Sequence, residues 1–257
     1  AAAAAPAATA AAAPGGSEAK PTAAAAAAPK PARSEGQYGA ALEEGSGYFN
    51  SYDRLQIHEE MLEDKVRTLG YREAIEKNAH LFKDKVVLDV GCGTGILSMF
   101  AARCGARRVI GVDASDIIEL ARKVVAKNGL GETVTLLRGT METLSLPTGV
   151  DKVDIILSEW MGYALLYESM LPTIYYARDR FLAPGGLVLP SACEMRIGAS
   201  SYDRLSFWDD VYGFDYTDLR PPARKEASIE VVPAESLLAP TVPFRTVDCA
   251  GGSDGEL

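Results

Sequence analysis

Through its middle the chain alternates two kinds of apolar pattern. Short runs rich in β-branched residues, at 86–90, 108–112, 134–137 and 153–157, have the length and composition of buried strands. Between them, 96–104, 115–128 and 168–181 place apolar side chains at helical spacing, with Ser115 positioned as an N-cap. A further strand is expected at 187–190, entered through Gly185-Gly186. Strands separated by helices imply a parallel, doubly wound α/β sheet of the Rossmann-like kind, since parallel neighbours need a crossover. Such sheets bind ligands beyond the carboxyl ends of their strands.

The flanks read differently. Residues 1–47 are rich in Ala and Pro with Tyr38 as their one aromatic, too little apolar bulk to offset the entropy of ordering, so a disordered tail is expected. In 48–77, Tyr48, Tyr52, Ile57, Met61, Leu62, Val66, Leu69, Tyr71 and Ile75 fall mostly on one helical face, predicting helix packed on the sheet domain. Beyond Pro190, residues 193–199 alternate, 207–214 are aromatic and acidic, 220–224 read as an exposed connection, and 229–232 are a candidate strand. Three units follow: a tail (1–47), a cofactor-binding domain with its leading helix (48–190), and the start of a β-rich domain (191–257).

Asp89-Val90-Gly91-Cys92-Gly93-Thr94-Gly95 joins the first predicted strand to the first predicted helix. Glycine suits a turn that needs unusual backbone angles and a close-lying ligand. The helix behind it offers unpaired N–H groups and a positive dipole end. Asp113 ends the second strand about 20 residues on, where an acid is expected to accept hydrogen bonds from ribose hydroxyls. A nucleoside-bearing cofactor is therefore expected. Dinucleotide sites favour Gly-x-Gly-x-x-Gly to seat a pyrophosphate, so Gly-x-Gly-x-Gly fits S-adenosylmethionine better than NAD.

Composition narrows the partners. The chain has 257 residues and a net charge of −9. An acidic surface argues against non-specific binding to nucleic acid or anionic membrane and favours a basic substrate. The four cysteines, Cys92, Cys104, Cys193 and Cys249, form no CxxC pair, so neither a zinc site nor a disulfide framework is expected, and reduced thiols suit a cytoplasmic or nuclear protein. No run approaches the roughly 20 strongly apolar residues of a membrane span.

Two acids, Glu159 and Glu168, bracket a nearly apolar segment after the fourth strand. A loop doubling back would bring both carboxylates to one pocket. Burying two acids together is costly unless a cation compensates, and a planar guanidinium accepts a carboxylate on each edge.

With those motifs in view, the chain resembles the type I protein arginine methyltransferases over about residues 48–248. The resemblance rests on Tyr48-Phe49-Asn50-Ser51-Tyr52, Ile57-His58-Glu59-Glu60-Met61-Leu62, the loop at 87–95, the acid loop at 158–171, and Phe207-Trp208-Asp209-Asp210-Val211-Tyr212-Gly213-Phe214. Lys65-Val66-Arg67-Thr68 and 207–214 look closest to the member carrying an amino-terminal zinc finger, although no finger spacing exists here. The resemblance implies that Glu159 and Glu168 grip the substrate guanidinium. It implies that Arg67 clamps the methionine carboxylate of S-adenosylmethionine, Asp113 holds the ribose, Glu142 reaches the adenine edge, and His58 lines the same pocket with Asp89, Gly91 and Gly93. Met61 and Met170 would border the arginine pocket, with Met61 fitting an asymmetric dimethylarginine product, and Tyr48 and Tyr52 would fold over the cofactor. It implies no metal, Arg/Gly-rich RNA-binding, ribosomal or histone substrates, and a homodimer formed through 207–214. In the family Asp64 pairs with a histidine of a later Thr-His-Trp loop within the β-barrel. That loop is absent from this chain, which also opens without methionine, so the expectation is a partial product that binds cofactor and is weak as an enzyme, or a non-catalytic dimerising module.

Overall fold

The computed structural model describes residues 55–253. Residues 1–54 lie outside that range, and with them the predicted tail, Tyr48 and Tyr52. The described chain opens with α1 (Leu55–Glu63), α2 (Lys65–Lys77) and the short α3 (Ala79–Phe82). The single helix expected through residue 77 is broken at Asp64, whose carboxylate accepts the Arg67 backbone N–H at 3.0 Å and caps α2. A short acid that bonds its own backbone outside the helix is a better cap than an interior residue.

Then come β1 (Val86–Val90), α4 (Ile96–Arg103), β2 (Arg108–Asp113), α5 (Ile117–Lys127), β3 (Val134–Arg138), β4 (Val153–Ser158), α6 (Leu171–Phe181) and β5 (Leu182–Leu189). The five strands pair in parallel in the order β3-β2-β1-β4-β5. The chain winds outward from β1 to β3 and then crosses to the other side of β1, so the order reverses between β1 and β4. A crevice opens at such a reversal, outside the carboxyl ends of the strands.

Alternation along the strands builds the two apolar layers. Val86, Leu88 and Val90 of β1, Ile110 and Val112 of β2 and Ile156 of β4 face α6 and its buried Ile174 and Phe181. Val87, Val109, Ile155 and Leu157 face the other way, onto Leu97 of α4, Ile118 and Val125 of α5, and Ile75 and Phe82. Gly111 of β2 has no room for more: a Cβ there would come within 2.5 Å of Leu136 and 3.0 Å of Cys92.

Several boundaries depart from expectation. Ser115 does not cap α5, because its hydroxyl and backbone N–H both turn back to Asp113. α6 begins at Leu171, three residues after Glu168, which lies in the loop ahead of it. β5 starts directly from the end of α6 and runs through Gly185, at φ +76°, where its register with β4 shifts. Past Pro190, β6 (Ala192–Ile197) pairs antiparallel with β7 (Val242–Asp248) as a separate two-stranded sheet. The candidate strand at 229–232 is not formed, and Ile229 and Val231 stand exposed without a sheet partner. Residues 220–224, read as a connection, contain the short α7 (Arg220–Ala223).

Candidate active site

The glycine turn is held by backbone bonds and by one carboxylate. The N–H groups of Gly91 and Cys92 both reach the Val112 carbonyl, at 2.9 and 3.0 Å. Gly91, Gly93 and Gly95 sit at φ +71°, +50° and +80°, a region L-residues avoid. Asp113 accepts the Gly93 N–H at 2.7 Å on one oxygen, and the N–H and hydroxyl of Ser115 at 2.9 and 2.6 Å on the other. Having pinned the turn, its carboxylate still has lone pairs for further donors.

Two side chains lie against this turn. A Cβ on Gly91 would meet the Met170 methyl at 2.6 Å, and one on Gly93 would lie 3.5 Å from Nδ1 of the buried His58. Beneath the turn, Asp89 is wholly buried. One of its oxygens accepts the Ser98 hydroxyl at 2.6 Å and the other has no partner. Burial raises its carboxyl from an ordinary 3.8 to about 7, against the lowering effect of the Ser98 bonds.

The acid loop is anchored at its start. Ser158 donates to the Val90 carbonyl at 2.7 Å, tying the carboxyl ends of β4 and β1 together. Tyr71 of α2 donates to the Ser158 carbonyl at 2.9 Å, and burial pushes its phenol far above the ordinary value. One turn earlier on α2, Arg67 donates from Nε to Glu159 Oε2 at 2.7 Å and closes a second bond to the same oxygen from Nη2. Its Nη1 donates to the Met61 carbonyl at 3.1 Å. The carboxyl of Glu159 is raised, burial outweighing the pull of Arg67, and Glu168 pushes it in the same upward direction.

The loop does double back. Gly162 and Leu165 exchange backbone bonds of 3.2 and 3.0 Å, and Ala164, Leu165 and Ser169 take left-handed φ of +46°, +64° and +54°. Glu168 returns against Gly162 so closely that a Cβ there would meet its Cγ at 2.5 Å. The two carboxylates expected to share a pocket thus lie within electrostatic reach of one another.

The remaining site residues are distributed as follows. Met61 lies beside Arg67 through its carbonyl and its sulfur. Glu142, expected on the adenine edge, accepts the Thr173 hydroxyl at 2.8 Å. Asp64, expected to meet a histidine from a later loop, caps α2 instead. Arg67, expected on the cofactor carboxylate, is bonded to Glu159 and Met61. Sequence reasoning missed Ser98, Ser158 and Tyr71. Small hydroxyls inside apolar strands and helices were the available signal for the first two, and helical spacing four residues after Arg67 for the third. Among the described residues no group of three or more His, Cys, Asp or Glu side chains could hold a metal ion, and no helix is long and apolar enough to cross a membrane.

A parallel sheet with a glycine turn at its reversal and acids on the neighbouring loop is a Rossmann-like arrangement, and the family described as "Methyltransferase domain" matches residues 87–186, which places the chain in the methyltransferase class of such domains. Protein arginine N-methyltransferase 1 of Saccharomyces cerevisiae is 57% identical over 190 residues, 72% of this chain and 54% of that protein. Among solved structures, the Trypanosoma brucei PRMT1 enzyme-prozyme heterotetrameric complex with AdoHcy superposes with a TM-score of 0.71 at 43% identity, over 80% of this chain and 66% of that one. PRMT6 superposes with a TM-score of 0.66 at 32% identity, over 78% of this chain and 67% of that one. The chain belongs to the protein arginine methyltransferase family. It spans about half the length of the curated relatives it matches.

Proposed function

We propose that the chain is the cofactor-binding and acid-bearing portion of a protein arginine N-methyltransferase of type I, acting on arginines of basic, Arg/Gly-rich proteins with S-adenosylmethionine as donor. The observation that carries this reading is the charge arrangement at the acid loop. Glu159 and Glu168 would contribute two negative charges, and Arg67 supplies one positive charge from within. The remainder matches one substrate guanidinium, which cannot be deprotonated in advance at neutral pH.

The glycine turn fits the cofactor. A Cβ at 91 would crowd Met170 and one at 93 would fill the contact with His58, Asp113 keeps acceptor capacity, and Asp89 holds an unpartnered oxygen beneath the turn. Gly91, Gly93 and Asp113 would hold the nucleoside end. Glu142 would reach the adenine from its Thr173 bond, and Arg67 would offer its remaining donor capacity to the carboxylate. When bound, the cofactor supplies an electrophilic methyl group on a sulfonium. Glu159 and Glu168 would accept N–H bonds from the substrate guanidinium, draw its charge toward the bonded nitrogens and aim a third nitrogen at the methyl. Orientation and charge placement of this kind supply much of an enzyme's acceleration. Met61 and Met170 would line the pocket. The exposed Phe207, Tyr212 and Phe214 support a dimer through 207–214, and the trypanosomal relative is itself an assembly.

The test is mass spectrometry of an Arg/Gly-rich peptide after incubation of the protein with S-adenosylmethionine, beside a peptide with every Arg replaced by Lys. Methyl groups on the arginine peptide alone, lost in Glu168→Gln, support the reading. Turnover undiminished in Glu168→Gln, or methylation of the lysine peptide, overturns it.

A further inference from the structure

The edge of the sheet opposite the glycine turn carries its own cavity. At the amino ends of β1, β2 and β4, an open depression of about 200 Å³ is lined by Val86, Arg107, Arg108, Gly149, Asp151 and Lys152, among others, with the Arg107, Asp151 and Lys152 side chains exposed at its mouth. Three of these side chains are cations and one is an acid. The next acid, Asp154, is already engaged, accepting the Val86 N–H at 2.8 Å and pairing with Lys85 at 3.4 Å. Lys152 is steadied by donating to the Arg180 carbonyl at 2.7 Å, which leaves its ammonium two further N–H groups.

The clustering of two arginines is the informative feature. Arg67, Arg122, Arg138 and Arg220 are each paired with a carboxylate, and Arg103, Arg180 and Arg224 show no such pair among the described residues but do not adjoin a second unpaired arginine in sequence. Arg107 and Arg108, adjacent in sequence and facing one cavity, have no ion-pair partner among the described residues. In a chain of net charge −9, acids are abundant, yet none is spent on them. Two neighbouring forks and an ammonium against the single carboxylate of Asp151 leave the depression net positive, which favours a further anion. Gly149, at φ +83° with open space where a Cβ would stand, leaves the backbone accessible on the cavity's rim.

We propose that this cavity is an anion site for a phosphoryl dianion, either of a small phosphate monoester or of a phosphorylated serine. Arginine forks bind phosphate oxygens in pairs, and lysine adds a point charge. A depression of about 200 Å³ with its cations converging on one spot suits a compact anion better than an extended acidic chain. β1 is five residues long, so the site lies about 16 Å from the glycine turn at ~3.3 Å per residue. It is therefore a separate place from the cofactor crevice and the acid loop.

Calorimetric titrations of inorganic phosphate, adenosine 5′-monophosphate and a phosphoserine peptide, each with saturating S-adenosylhomocysteine present, test it. The expected result is saturable binding of at least one of them, unchanged when S-adenosylhomocysteine is omitted for inorganic phosphate. Affinity should fall at least tenfold in Arg107→Gln/Arg108→Gln and severalfold in Lys152→Gln, with unfolding temperatures kept. Tighter binding of the nucleotide than of the phosphopeptide assigns a small-molecule ligand, and the reverse assigns a phosphorylated segment. No heat with any of the three, equal affinity in the double variant, or loss of phosphate binding on adding S-adenosylhomocysteine overturns the proposal.

Discussion

Replacing Asp89 with asparagine should flatten the pH dependence of stability. In the folded protein the carboxyl titrates at about 7, against 3.8 without burial. Between those values the native state keeps a proton that the unfolded chain has released, so stability falls as pH rises through the window and levels off above it. At about 1.36 kcal/mol per pH unit the full window amounts to about 4 kcal/mol. The same linkage gives a cost of about 2 kcal/mol at pH 5 and about 4 kcal/mol at pH 8. The asparagine side chain does not titrate. Its amide adds a pH-independent offset, because it can accept from Ser98 but also brings two donors into a buried site. That offset is the same at every pH, so it drops out of the change, from one pH to another, in the difference between the two proteins' unfolding free energies. Urea denaturation at pH 5, 6, 7 and 8 should show the variant gaining about 2–3 kcal/mol on the native protein across the range. A difference that changes by less than about 0.5 kcal/mol would mean that Asp89 is ionised throughout, and that its unpartnered oxygen is solvated or paired.

Two further outcomes follow from packing and charge. Arg67→Ala should cost about 1–3 kcal/mol of stability, since it leaves the half-buried Glu159 without its cation. In a Glu159→Gln background the same change should cost at least about 1 kcal/mol less, and a double-mutant cycle with no coupling would refute the pairing. Gly111→Ala should lower the urea midpoint by an amount equivalent to about 1–3 kcal/mol, because its methyl would meet Leu136 and Cys92 inside a closed sheet. A neutral result would show that the layer over β2 is looser than the contacts indicate.

The doubly wound sheet was legible because its signals are local and redundant. β1 announces itself by Val86-Val87-Leu88, the turn by alternate glycines, and the next strand's end by Asp113. Position within the acid loop was less legible. Glu168 has the composition of a helix start, but return contacts with Gly162 hold it outside α6. The break at Asp64 depends on one side chain choosing the Arg67 N–H over a continued helix, a competition worth about 1 kcal/mol that periodicity does not register. The 229–232 run has strand composition and no neighbour to pair with, whereas β7 finds β6. Arg67 meeting Glu159 across 92 positions is a consequence of topology alone. Cofactor and acid-loop residues were singled out by motif and resemblance, but their mutual bonds were not.

The left-handed residues of the acid loop bear on what holds that loop in shape. Ala164, Leu165 and Ser169 each hold a conformation that costs an L-residue about 1–2 kcal/mol. Backbone hydrogen bonds between Gly162 and Leu165, and from Leu166, Tyr167 and Ser169 back to Ala164, Tyr163 and Leu166, hold the turn against that cost. Glycine at 164 or 165 would relieve the cost while widening the conformations open to the unfolded loop, so the fold of this segment is set by its bonds and not by local preference.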